Sequence, residues 1–242
     1  MANQEQVNIL MAMAHLSQKY ANNDLFKFWT LGEHRMINKF FHYFPIYEKW
    51  FKDFRGKDLV FVEIGVDKGG SLQMWKNYFG EKAKIVGIDI NENCKKFEEE
   101  QISVEIGSQE DENFWTDFKQ KYPRVDILLD DGGHEMNQQI VTFRQMFPHI
   151  KDGGIYMCED CHTSYWPEYK GGLHHPDTYI EFAKALVDVI NAFHTGEGLK
   201  PNYFTVNMGG IHFYDSIVIV EKSFVPLLPF GQIIGQPESV EN

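Results

Sequence analysis

The stretch ILLDDGGHE, residues 127–135, runs from apolar residues of strand type into two carboxylates, two glycines and an imidazole. A plain turn needs one aspartate and one glycine. The additional groups suit chemistry: Asp131 to hold a metal ion, and His134, three residues on, to take a proton. A second acidic pair, Glu159 and Asp160, ends the run GIYMCED at 154–160. If the two runs are neighbouring strands, three or four carboxylates meet at one sheet edge, an unfavourable crowding of like charge unless a cation joins them. Hard oxygen donors in this number suit Mg²⁺, Mn²⁺ or Ca²⁺ better than zinc. A magnesium ion partly open to water can chelate two vicinal hydroxyls and lower the pKa of the one that attacks, and an imidazole accepts the released proton near neutral pH. The local alternative is that Asp130 and Asp131 cap a helix beginning at Glu135, with His134 a polar loop residue; the second acidic pair weighs against it.

A second constellation suits a nucleoside. EIGVDKGGSL (63–72) turns from strand to helix through Gly65, Gly69, Gly70 and Ser71, with Glu63 two places before the first glycine. Glycines let the backbone approach a ligand, and the helix start offers free N–H groups. The spacing is looser than the G-x-G-x-x-G of dinucleotide binders, and a carboxylate suits the cationic S-adenosylmethionine better than the two phosphates of NAD. The next strand ends GIDIN, placing Asp89 to accept the ribose hydroxyls. In EIGSQEDENFW (105–115), Ser108 and Gln109 are placed to hydrogen-bond an adenine, whereas Asp111 reads as a helix cap. Asp130, beside Asp131, is assigned to the cofactor side. The loop HTSYWPEYKGGLHHPDTY (162–179) has the length of a lid; Tyr165, Trp166 and Tyr169 are candidates to lie against a sugar, and His174 and His175 read as surface residues. His212, Tyr214 and Asp215 read as part of a structural strand.

These residues need a scaffold that collects strand ends. Apolar runs at 59–66, 84–90, 102–107, 125–131 and 154–160 alternate with amphipathic helical stretches at 70–79, 111–122, 135–150 and 178–195, the pattern of an α/β, doubly wound, mostly parallel, Rossmann-like sheet. In such a sheet ligands bind beyond the carboxyl ends of the strands. Residues 202–222 read as a closing antiparallel hairpin turned at Gly209 and Gly210. Before the first strand, 4–20 and 31–51 carry helical spacing and are read as an N-terminal helical cap (1–55) on a domain over 56–242. The tail 235–242 reads as loose. The 242 residues suffice for one sizeable core.

A formal charge of −12 disfavours a nucleic-acid partner, which calls for a basic face. No apolar run has membrane-span length, and the start lacks the character of a signal peptide. Three cysteines, Cys94 and the lone C-x-x-C pair Cys158 and Cys161, make no disulfide framework or complete zinc site. The reducing cytoplasm is the expected compartment.

Taken together, FVEIGV…GGSLQMW, GIDIN, LLDDGGH and EDCHTSYW resemble the metal-dependent sugar O-methyltransferases of macrolide maturation, of the mycinamicin and macrocin type, and the related cephalosporin-hydroxylase-like methyltransferases. The resemblance covers about residues 40–221. It implies a class I methyltransferase fold, S-adenosylmethionine and Mg²⁺ (or Mn²⁺) as cofactors, Asp131, Glu159 and Asp160 as metal ligands and His134 as general base. It places Tyr43 and Tyr47, from HYFPIYE, near the methyl donor, although an aromatic core face explains them equally. It also implies a homo-oligomer. The chain lacks the long N-terminal domain of the macrolide enzymes, so a smaller acceptor, such as a sugar carried on a nucleotide, is expected. A nicotinamide-dependent sugar oxidoreductase, a non-catalytic S-adenosylmethionine-binding subunit and a catechol-type O-methyltransferase stand as alternatives.

Overall fold

Runs that are apolar on both faces become strands buried on both faces. In the computed structural model, which describes residues 11, 14–16 and 18–226, these are β1 (Leu59–Ile64), β2 (Ala83–Asp89), β3 (Ile102–Ile106), β4 (Val125–Asp130) and β5 (Ile150–Cys158), followed by β6 (Met208–Tyr214) and β7 (Ile217–Lys222). They form one sheet in the order β3-β2-β1-β4-β5-β7-β6. β1 to β5 are parallel, and β7 runs antiparallel to both β5 and β6. Strand order reverses between β1 and β4, the place where such sheets open a crevice at their carboxyl ends.

The helices are α1 (Asp24–Leu31), α2 (Phe44–Phe51), α3 (Gly70–Phe79), α4 (Glu112–Lys121), α5 (Met136–Met146) and α6 (Tyr179–Ile190). On one face of the sheet, Phe51, Trp75 and Phe79 pack with Phe61, Ile127 and Leu129; on the other, Trp115, Phe143 and Tyr179 pack with Val62, Leu128 and Tyr156. The two-residue period of β4 thus divides its side chains between two cores. Asp111 caps α4, accepting from the Asn113 N–H at 2.8 Å. At α5 the cap is Glu135, closed as a capping box with Gln138, so Asp130 and Asp131 are free of the capping role.

Two sequence expectations change. The helix expected over 31–51 is two helices parted by an extended segment. Asn23 caps α1, which ends before Gly32, and residues 32–40 contain no helix. That segment is pinned by bonds from Trp29 Nε1 to the Ile37 carbonyl (3.1 Å) and from the Arg35 N–H to Gln73 Oε1 (3.0 Å). It lies so close to the start of α3 that a Cβ on Gly70 would come within 2.3 Å of the Arg35 and Met36 carbonyl oxygens. The closing hairpin turns at Asp215 and Ser216, the latter at φ 64°, while Gly209 and Gly210 lie inside β6 at a register shift. Of the helix expected over 4–20, residues 11, 14–16, 18 and 19 are described and helical; the tail 235–242 lies outside the described residues. No helix among the described residues is long and apolar enough to cross a membrane.

Gly65 makes the crevice possible. It follows β1 at φ 93°, and a Cβ there would stand 1.9 Å from the Asp131 carbonyl oxygen. Gly65→Ala is expected to destabilise the fold by about 3 kcal/mol or more, combining left-handed strain with a backbone clash. A lowered urea midpoint at unchanged slope would register it; an unchanged midpoint would refute it.

Candidate active site

Beyond the carboxyl ends of β1, β2, β3 and β4 lies a cavity of about 490 Å³, within the range of small-molecule sites. Gly65 and Ser71 line it from the glycine loop, Asp89 from β2, Ser108 and Gln109 from the turn after β3, and Asp131, His134 and Asp160 from the ends of β4 and β5. Asp89 also organises the floor: Oδ2 accepts from the Val66 N–H at 2.9 Å and Oδ1 from the Asn91 N–H at 2.9 Å. A second cavity, about 340 Å³, is lined by Trp29, Phe40, Tyr43 and Glu159. The two share Ile37, Asn38, Lys39, Asp131 and Asp160 as a common wall. A donor and an acceptor housed on either side would meet at these carboxylates.

His134 Nε2 stands 3.6 Å from Asp160 Oδ2 and 4.0 Å from Asp131 Oδ1. One ligand atom from each of the three residues falls within 4.8 Å of the others, the spacing of a metal-binding group. The Tyr43 hydroxyl donates to Asp160 Oδ1 at 2.6 Å, leaving Oδ2 directed toward the imidazole. His134 and Asp160 both hold left-handed backbone conformations, φ 60° and 51°. Such conformations in residues other than glycine persist where surrounding structure enforces them. Here Thr163 Oγ1 donates to both the His134 and Asp160 carbonyl oxygens, at 3.0 and 2.8 Å. Among the described residues, His134 Nδ1 is buried without a hydrogen-bond partner.

Seven of the expected contact residues line neither cavity. Glu63 is fully buried beneath Ser71, accepting from its hydroxyl at 2.6 Å and from Trp75 Nε1 at 3.0 Å. Asp130, assigned to the cofactor, sits on the opposite face of β4 from Asp131, where Gln109 (3.0 Å) and Tyr156 (3.3 Å) donate to it; burial pushes its carboxyl up to about 6. Gln109 also accepts from the Gly133 N–H at 3.0 Å, so its amide cross-links the β3 and β4 loops. Gly69 turns the loop at φ 72° against Phe97. Tyr47 is buried behind Glu159, to which its hydroxyl donates. Tyr165 and Trp166 are half exposed, and Tyr169 is nearer, its ring centroid 6.4 Å from that of His134. Cys158 and Cys161 are buried free thiols, and burial pushes the Cys158 thiol well above its ordinary range.

The reading of the sequence missed Lys39. Its side chain is 2% exposed, and Nζ reaches Asp131 Oδ2 at 2.5 Å, Glu159 Oε2 at 2.7 Å and Glu63 Oε1 at 3.5 Å. Burial opposes its charge, but the three carboxylates outweigh burial and hold the ammonium protonated well above the ordinary lysine range. Burial in turn raises Asp131 above the usual carboxylate range and Glu159 to about 8, with Lys39 opposing both shifts. With Asp160 the cluster offers four carboxylates to one ammonium. That balance, and the hard oxygen donors, fit a divalent cation.

Residues 62–161 match a family model described as a methyltransferase domain. The chain is 34% identical over 195 residues to demethylmacrocin O-methyltransferase of Streptomyces fradiae, covering 75% of this chain and 49% of that protein. It is 34% identical over 197 residues to mycinamicin VI 2''-O-methyltransferase of Micromonospora griseorubida, with 76% and 49% covered. Among solved structures it is similar to the MycE methyltransferase of the mycinamycin biosynthetic pathway in complex with Mg, SAH and mycinamycin VI: TM-score 0.70, 32% identity, covering 87% of this chain and 53% of that one. The fold is that of class I methyltransferases, and the homologues are sugar O-methyltransferases of natural-product pathways. The chain spans about half the length of the curated relatives it matches.

Proposed function

We propose that this chain is an S-adenosylmethionine-dependent, Mg²⁺-dependent O-methyltransferase acting on a sugar hydroxyl with a vicinal neighbour. The observation that carries the reading is the convergence of Asp131, Asp160 and His134 on the wall common to two cavities. When bound, S-adenosylmethionine supplies the methyl group, and the divalent ion supplies the charge that lowers the acceptor hydroxyl's pKa. Asp131 and Asp160, joined by Glu159, hold the ion. His134 takes the acceptor's proton at Nε2, the nitrogen that faces the carboxylate wall. Ser71, Asp89, Ser108 and Gln109 line the donor cavity; Gly65 and Gly69 shape its loop, Glu63 and Asp130 support it from behind through Ser71 and Gln109, and Tyr47 backs Glu159 in the second cavity. Tyr43 orients Asp160; of the loop aromatics Tyr165, Trp166 and Tyr169, which line neither cavity, Tyr169 stands toward His134 and would be the one to meet the acceptor.

The homologues' methyl-transfer chemistry supports this reading over the nicotinamide alternative. The described residues before β1, namely α1, the extended 32–40 segment and α2, then act as a cap on a catalytic domain that begins at residue 56, in a cytoplasmic homo-oligomer; light scattering of the purified chain tests the assembly.

Calorimetry of S-adenosylhomocysteine binding, paired with a Mg²⁺ titration of methyl transfer to nucleotide-linked sugars and glycosides, tests the function. Product binding with turnover abolished by chelator is expected. No binding of S-adenosylhomocysteine would overturn the reading.

A further inference from the structure

Lys39 places a buried positive charge inside the carboxylate cluster that fits a metal ion. Its three partners come from three different strand ends, β1, β4 and β5, so the ammonium ties together the floor of the site. Its partners are also shared. Asp131 Oδ2 accepts from Lys39, while Oδ1 of the same carboxylate faces His134. Glu159 has one oxygen held by the Tyr47 hydroxyl and the other by Lys39, so an ion that enlists Glu159 must draw on an oxygen already engaged.

We propose that Lys39 is the resident counter-ion of this site and competes with the divalent ion for Asp131 and Glu159, thereby setting how tightly the ion is held. The proposal rests on the metal-dependent reading above. Buried carboxylates without a cation are costly, and the ammonium meets that cost when no ion is bound. Two cations drawing on the same carboxylates repel each other, and the repulsion is strong away from bulk water. Lys39 therefore keeps the site assembled at the expense of ion affinity. A lysine that served only to tie the 32–40 segment to the sheet would, when removed, leave ion affinity unchanged or, by loosening the site, lower it together with the melting temperature.

The test is a direct Mn²⁺ titration, followed by the electron paramagnetic resonance of the free ion, on the wild type, Lys39→Met and Lys39→Arg, with thermal unfolding of each in Mg²⁺ and in chelator. Lys39→Met, which keeps length without charge, is expected to bind Mn²⁺ on the order of tenfold or more tightly and to gain more thermal stability from Mg²⁺ than the wild type. Lys39→Arg, which keeps the charge, should bind no more tightly than the wild type. Unchanged or weaker Mn²⁺ binding by Lys39→Met, with the wild type still binding, overturns the competition and leaves the metal-dependent reading standing. Absence of Mn²⁺ binding in all three proteins overturns both. Should Lys39→Met unfold in chelator yet fold in Mg²⁺, the ion replaces the ammonium as proposed; failure to fold in either condition refutes that replacement.

Discussion

Replacing His134 with asparagine is expected to lower kcat for methyl transfer by about 10²–10⁴-fold, the usual contribution of a positioned general base. Binding of S-adenosylhomocysteine should remain. Asparagine is the better probe than alanine, because His134 sits at φ 60° and asparagine tolerates the left-handed region. The variant also separates two roles that the geometry brings close together, since Nε2 lies 3.6 Å from Asp160 Oδ2 and 4.0 Å from Asp131 Oδ1. As a base, His134 affects turnover and leaves Mn²⁺ affinity unchanged. As a metal ligand, its loss weakens Mn²⁺ binding in step with turnover. Turnover within a few-fold of the wild type would exclude both roles.

The groups that could be read from the sequence are those whose partners lie on neighbouring strand ends. The alternation of apolar runs with helical stretches predicts the parallel sheet, and a parallel sheet gathers Asp89, Asp131 and Asp160 at one edge because each ends a strand or follows one within two residues. Side-chain direction was harder. Asp130 and Asp131 are adjacent and equally acidic, yet the period of two sends Asp130 to the buried face with Gln109 and Tyr156 and leaves Asp131 in the crevice. Lys39 carried no local signal at all: Asp131 and Glu159 stand 92 and 120 residues away, and the lysine lies in a segment whose apolar spacing resembles a helix. Four carboxylates at the ends of buried strands do imply some cation beyond the metal, but composition does not say which lysine supplies it. The hairpin shows a related limit. Gly209 and Gly210 look like a turn, but both fit inside β6 where larger residues would press on Ser223 and Glu221, and the chain reverses at Asp215 and Ser216.

The other large effect is expected at Asp131. Asp131→Asn keeps the shape of the side chain and an oxygen able to accept from Lys39, but removes the charge that the divalent ion and Lys39 both draw upon. Mn²⁺ affinity should fall by about 100-fold or more, and methyl transfer should fall with it unless Mn²⁺ or Mg²⁺ is raised in compensation. Donor binding is expected to change less, since Asp89, Ser71 and Ser108 also line the donor cavity and carry no charge change. The substitution also changes what Lys39 does. With Asp131 neutral, the ammonium keeps Glu159 at 2.7 Å and Glu63 at 3.5 Å, and its repulsion now acts on an ion already short of one ligand. Removing Lys39 as well should therefore restore part of the lost affinity, and the double variant should depart from the sum of the two single effects, as groups sharing one partner do. Strict additivity would mean that Lys39 and the ion do not compete through Asp131. Metal affinity unchanged in Asp131→Asn alone would remove this carboxylate from the ion's ligands and leave it only as the partner of Lys39.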